Sequence, residues 1–97
     1  MNQYGYKDLE GRSATTATLR QGEYSFVVLF RRQIKLSETD TLFGEWRVAD
    51  FGRDSGEAQR RAEGLEKNHR LPGYRIQTAV VEAWPIRQMD SAKDNNK

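Results

Sequence analysis

Between Glu23 and Ile34 the chain reads EYSFVVLFRRQI, and apolar residues fall on both of the alternating faces of a strand. Tyr24, Phe26, Val28 and Phe30 point one way, and Val27, Leu29 and Arg31 the other, because successive side chains of a strand alternate. A strand with one wet face alternates cleanly between polar and apolar residues. A strand that is apolar on both sides has to be covered twice. The cover comes from a helix, from the rest of the chain, or from another chain, and this choice limits what the sequence can fold into.

Material for those layers is scarce. The 97 residues fit one domain, and a domain of this size buries only about 60 to 70% of the surface its unfolded chain exposes. Hydrophobic residues make up 36% and charged residues 31%, so few apolar side chains are spare. A second strand is expected over Glu45–Phe51, with Trp46 and Val48 on one face and Arg47 and Ala49 on the other. It follows a solvated loop at Ser37–Asp40 and the break at Gly44.

The glycines from Gly52 to Gly56 end that strand, and Asp54 followed three residues later by Glu57 forms a capping-box pattern. The spacing predicts a helix from Ser55 to about Asn68. Ala58, Ala62 and Leu65 share its inward face, while Arg60, Glu63 and Lys67 face water. Glu57 with Arg61 and Glu63 with Lys67 are supporting pairs four residues apart. Pro72 and Gly73 end the segment. A last strand is expected over Tyr74–Trp84, with Tyr74, Ile76, Val80 and Trp84 on one side and Ala79, Val81 and Ala83 on the other, stopped by Pro85.

Residues 1–22 read as a polar N-terminal arm with room for a short strand at Ala14–Leu19, and residues 88–97 as a disordered polar tail. The expected fold is therefore a single α+β domain over residues 23–87. Its sheet is small and mostly antiparallel, with three to four strands and one helix packed on one face of this strand-strand-helix-strand core; if the last strand pairs with the first, the order is second, first, last.

Little in the sequence points to catalysis. The absence of cysteine removes thiolate chemistry, disulfides and cysteine-ligated zinc. The single histidine, His69, reads as a solvated residue near a helix C-terminus, where its charge suits the helix dipole. The close carboxylate pairs Glu38 with Asp40 and Asp50 with Asp54 lie in turns and lack the ligand spacing of a calcium loop. Asp50-Phe51-Gly52 matches a kinase tripeptide by letters only. No catalytic residue, metal ligand or cofactor is assigned. With no basic leader before an apolar core and no run approaching about 18 apolar residues, the chain is expected to be cytoplasmic and to avoid membranes.

Three functions remain. The first is a non-catalytic protein-binding or adaptor module acting as a homodimer. One helix covers one face of the sheet, and Leu9, Ala14, Ala17 and Leu19 are thin cover for the other. Val27, Leu29, Ala79 and Val81 would then form the interface, with another protein as a further partner. The second is nucleic-acid binding through Arg31, Arg32, Lys35, Arg60 and Arg61, helped by Lys67 and Arg70. However, 16 basic against 14 acidic residues leave a net charge of only +2, and Glu57, Glu63 and Glu66 interleave with the helix bases. The third is a small-ligand pocket between helix and sheet, rimmed by Trp46 or Trp84, with Arg47 or Arg75 anchoring an anion. Trp46 and Trp84 equally suit the rim of an interface.

Overall fold

The computed structural model describes residues 2–69 and 74–86. The expected tail at 88–97, Arg70, and the turn at Pro72 and Gly73 lie outside them. In chain order the elements are β1 (Asn2–Lys7), β2 (Ser13–Thr18), β3 (Phe26–Lys35), β4 (Thr41–Phe43), β5 (Arg47–Gly52), α1 (Ser55–Asn68) and β6 (Tyr74–Ile86). No described helix is long and apolar enough to cross a membrane.

The six strands form one antiparallel sheet in the order β2-β1-β6-β3-β4, with β5 also pairing β3. It curls into a half-barrel. The expectation of a three- to four-stranded sheet is corrected here, although the α+β character and the β5, β3, β6 neighbourhood stand. The short strand allowed at Ala14–Leu19 is present as β2, and two further strands were not expected: β1, which makes the N-terminal stretch a complete hairpin, and the three-residue β4 after Asp40. β2 (SATTAT) buries none of its residues fully and half-buries only Ala14, Thr16 and Thr18.

β6 makes the curl. Its first nine residues pair with β3, from Tyr74 opposite Ile34 to Glu82 opposite Phe26, and its last four pair with β1. The strand runs through Pro85, where the sequence suggested a stop. Proline lacks only its own N–H, and Ala83 N–H donates to Ser25 O at 2.8 Å. Alternation then turns the amide position of Pro85 to that same side, past the start of β3 at Phe26, and away from β1.

Each face of the sheet has its own core. On the outer face α1 packs over β3, with fully buried Val28 against Ala58 and Ala62, flanked by Phe26 and Val80. On the inner face Val27 and Leu29, at 0% and 1% exposure, meet Tyr4, Tyr24 and Phe51. The Tyr4, Tyr24 and Phe51 rings lie 5.5 to 6.0 Å apart at tilted and edge-on angles, a favourable arrangement for aromatic quadrupoles. Tyr4 Oη donates to Gly22 O at 3.1 Å and accepts from Tyr24 N–H at 3.3 Å. Tyr24 thus joins the inner face, because the strand begins only at Phe26 and its alternation does not reach back.

A bulge completes the inner core. Val28 pairs with Asp50 and Leu29 with Val48, so Ala49 is the extra residue on β5. Val48 and Phe51, three apart in sequence, consequently share the inner face, and Asp50 turns outward toward α1.

The helix starts as its capping pattern predicts. Asp54 Oδ1 accepts from Glu57 N–H at 2.8 Å, while the Glu57 carboxylate reaches back one residue further than in a standard box, to Arg53 N–H at 2.7 Å. At the C-terminal end of β5, just before the cap, Gly52 allows α1 to approach. A β-carbon there would stand 2.7 Å from Ala58 Cβ and 2.8 Å from Ala58 N. Gly52→Ala should therefore destabilise the fold by about 1 to 3 kcal/mol through overpacking, measured by urea denaturation. A stability equal to that of the native protein would mean that α1 does not sit this close to β5.

Candidate functional site

The inner face changes character past Leu29. The next inward residue of β3 is Arg31, paired in register with Gln77 of β6. Gln77 Oε1 accepts from Arg31 Nε at 2.6 Å. The Arg31 guanidinium carbon lies 4.2 Å from the Phe43 ring centroid and 4.8 Å from that of Trp46. Both distances are in cation–π range. Phe43 reaches this position because β4 pairs with the end of β3 and sets Phe43 opposite Gln33.

Arg31 and Trp46 form a divider between two cavities. A trough of about 470 Å³ lies on the β6 side, lined also by Gln33, Arg75, Gln77, Thr78 and Glu66. Thr78 Oγ1 donates to the Glu66 carboxylate of α1. A second trough of about 490 Å³ lies toward the β1–β2 turn, lined also by Asp8, Glu10, Arg12 and Glu45. That turn is tied by Asp8 Oδ1, which accepts the N–H groups of Glu10 and Arg12 at 2.9 Å each. The carboxyl of Asp8 is held below its ordinary range, first by the Arg12 amide. Gly11 takes φ 84°, a left-handed conformation that favours glycine.

The residues singled out from the sequence are scattered. Arg31 faces inward and Arg32 outward, on opposite sides of the sheet. Arg60 is exposed on the helix and Lys35 at the end of β3. Arg61 is bound to Asp50 at 3.0 Å and to Glu57 at 3.5 Å. These five do not make one basic stripe. Val27 and Leu29 are buried within the single chain, while Ala79 and Val81 are half-buried on the same face. Trp46 rims both troughs. Trp84 lies on the outer face, 45% exposed and flat against Gly5, where a β-carbon would come within 2.6 Å of the indole nitrogen.

The middle of the space between helix and sheet is filled by Val28, Ala58, Ala62, Phe26 and Val80, and the β6-side trough lies beside it, reaching round β6 from Arg31 and Gln77 on the inner face to Ile76, Thr78 and Glu66 on the helix side. Arg75 lines the β6-side trough, whereas Arg47 pairs with Phe30 on the outer side. Sequence reading missed Phe43, Gln77 and the Asp8–Arg12 turn. For the turn a signal existed: Tyr4 and Tyr6 alternate, Ala14, Thr16 and Thr18 alternate, and Asp8 and Gly11 stand between them. His69 caps the C-terminus of α1, with Nδ1 2.9 Å from Leu65 O.

Asp50 is the main electrostatic tie between sheet, helix and the β2–β3 connection. Burial opposes its charge, yet the carboxyl is held below its ordinary range by the Phe51 N–H and by Arg61 and Arg20, the last at 3.0 Å. No protein-family model matches the chain, and comparison with curated proteins and with solved structures finds no match.

The Asp50 tie predicts a pH dependence. Because folding lowers this pKa, the stabilisation is present above the carboxyl's unfolded value and is lost as pH falls through the lowered folded one. Asp50→Asn should cost about 1 to 3 kcal/mol at neutral pH and flatten the acid limb of stability against pH. Parallel acid limbs for variant and native protein would show that other groups carry it.

Proposed function

We propose that the chain is a small, non-catalytic protein-binding module that works as a homodimer in the cytoplasm, with two copies joined edge to edge along β6. The supporting observation is the open stretch of that strand. The Ala83 to Ser25 hydrogen bond fixes the alternation. The backbone groups of Gln77, Ala79 and Val81 therefore turn toward β3, and those of Ile76, Thr78 and Val80 turn away. β1 occupies the outward side only from Ala83 onward, and among the described residues no strand pairs with that side between Tyr74 and Val81. An edge of this kind is a template for another strand.

The edge is also self-complementary. Antiparallel pairing about a twofold axis through Thr78 sets Thr78 against its own copy and Ile76 against Val80 of the second chain. On the inner side Gln77 would face Ala79, and Arg75 would face Val81. Opposite β-branched side chains stabilise such pairs, and a twofold, isologous contact is the commonest oligomer geometry. Ile34 and Leu42, paired across the β3–β4 hairpin, and Leu36 beside them remain exposed. Such an apolar patch suits a protein partner.

Light scattering coupled to size-exclusion chromatography at micromolar concentration should give the mass of a dimer. Thr78→Pro removes an outward N–H without touching the ladder to β3, and should give a folded monomer. Thr78→Val keeps the N–H and should stay dimeric. A monomeric native protein would overturn the dimer, and a dimer untouched by Thr78→Pro would overturn this seam.

A further inference from the structure

We propose that the β6-side trough is a carboxylate-binding site built on Arg31, and that what it receives is the acidic side chain of a peptide. The inference deepens the protein-binding reading and rests on it for the occupant. Arg31 is unusual among the arginines of this chain in how it is held. Two aromatic rings lie within stacking distance of its guanidinium carbon, and Gln77 takes its Nε–H. The ion pairs among the described residues use Arg12, Arg20 and Arg61, and none uses Arg31. A half-buried guanidinium fixed by stacking and by one neutral acceptor keeps its terminal nitrogens as donors. That planar fork matches a carboxylate with two parallel hydrogen bonds.

The carboxylate within the same trough is already engaged, since Glu66 accepts from Thr78 Oγ1. Charge then selects the side. The β6-side trough carries a single carboxylate, Glu66, which Thr78 already engages, beside Arg31. The trough toward the β1–β2 turn carries Asp8, Glu10 and Glu45 against Arg12 and Arg31, one negative charge in excess. An incoming carboxylate is drawn to the first and repelled by the second. The volume of about 470 Å³ lies within the range of ligand sites, about 300 to 1,000 Å³. It holds an acidic side chain with its flanking backbone. The edge of β6 is taken by the second copy, so the peptide is held through its acidic side chain in the trough and not by pairing with that strand.

The test is a nuclear magnetic resonance titration of ¹⁵N-labelled full-length protein, following the Arg31 Nε–H and Trp46 Nε1–H signals. Three probes are compared: a short capped Thr-rich peptide with one central glutamate, its glutamine twin, and glutarate. The glutamate peptide should shift both signals and bind about tenfold more tightly than its twin, the size of one charge-assisted pair. Arg31→Gln should abolish that difference, and Arg31→Lys should recover only part of it, since lysine lacks the fork. Gln77→Leu, which frees the Arg31 Nε–H, should reduce the difference in a protein whose circular dichroism is unchanged. Equal binding of the two peptides, a difference that survives Arg31→Gln, or silence with all three probes would overturn the site. Binding of glutarate with neither peptide would keep the carboxylate site and overturn the peptide as its occupant. Dimer mass is read separately, so Arg31→Gln should remain dimeric whichever way the titration falls.

Discussion

Burial of the β3 segment Phe26–Leu29 on both sides is the constraint from which the architecture follows. Val27 and Val28 are neighbours in sequence, point to opposite faces, and are both fully buried. The outer face is served by α1, which approaches closely because Ala58 and Ala62 are small and Gly52 has no side chain. The inner face has no helix. It is covered because the sheet curls: β6 outlasts β3 and pairs its end with β1, which brings Tyr4 over Val27 and Leu29. Burying such side chains is worth about 1.5 to 3 kcal/mol each. This is large beside a net stability of about 5 to 15 kcal/mol for a domain.

The same curl produces the troughs. Where the inner residues of β3 change from Leu29 to Arg31, the core gives way to a polar floor, still walled by Trp46 and Phe43. Stacking and the Gln77 hydrogen bond replace the missing counter-charge in part, so a guanidinium sits half-buried without an ion pair. The curl also parts β6 from β1 above Ala83, leaving the edge of β6 open beside the trough. Open edge and polar trough are thus two results of one geometric fact.

Asp50 shows how a local irregularity serves the whole. Without the bulge at Ala49, strict alternation would separate Val48 from Phe51. With it, both apolar residues reach the inner core, and Asp50 reaches Arg61 and Arg20 on the other side. One extra residue therefore joins the helix, the sheet and the segment after β2.

What the sequence determined by itself is local. The two-faced pattern of β3 and the helix from Asp54 through Asn68 follow from alternation, capping chemistry and apolar spacing, all carried by neighbouring residues. The tertiary structure decided what depends on distant partners. β1 and β2 are polar, with only a weak alternation to mark them, and gain their strand state from pairing with each other and, for β1, with β6. β4 is three residues long, below the length at which alternation signals a strand, and exists because β3 extends beyond β5. Arg31 could be singled out in the sequence as basic. Its setting between Phe43, Trp46 and Gln77 could not, because those partners lie 12, 15 and 46 positions away and meet only when the sheet closes on itself.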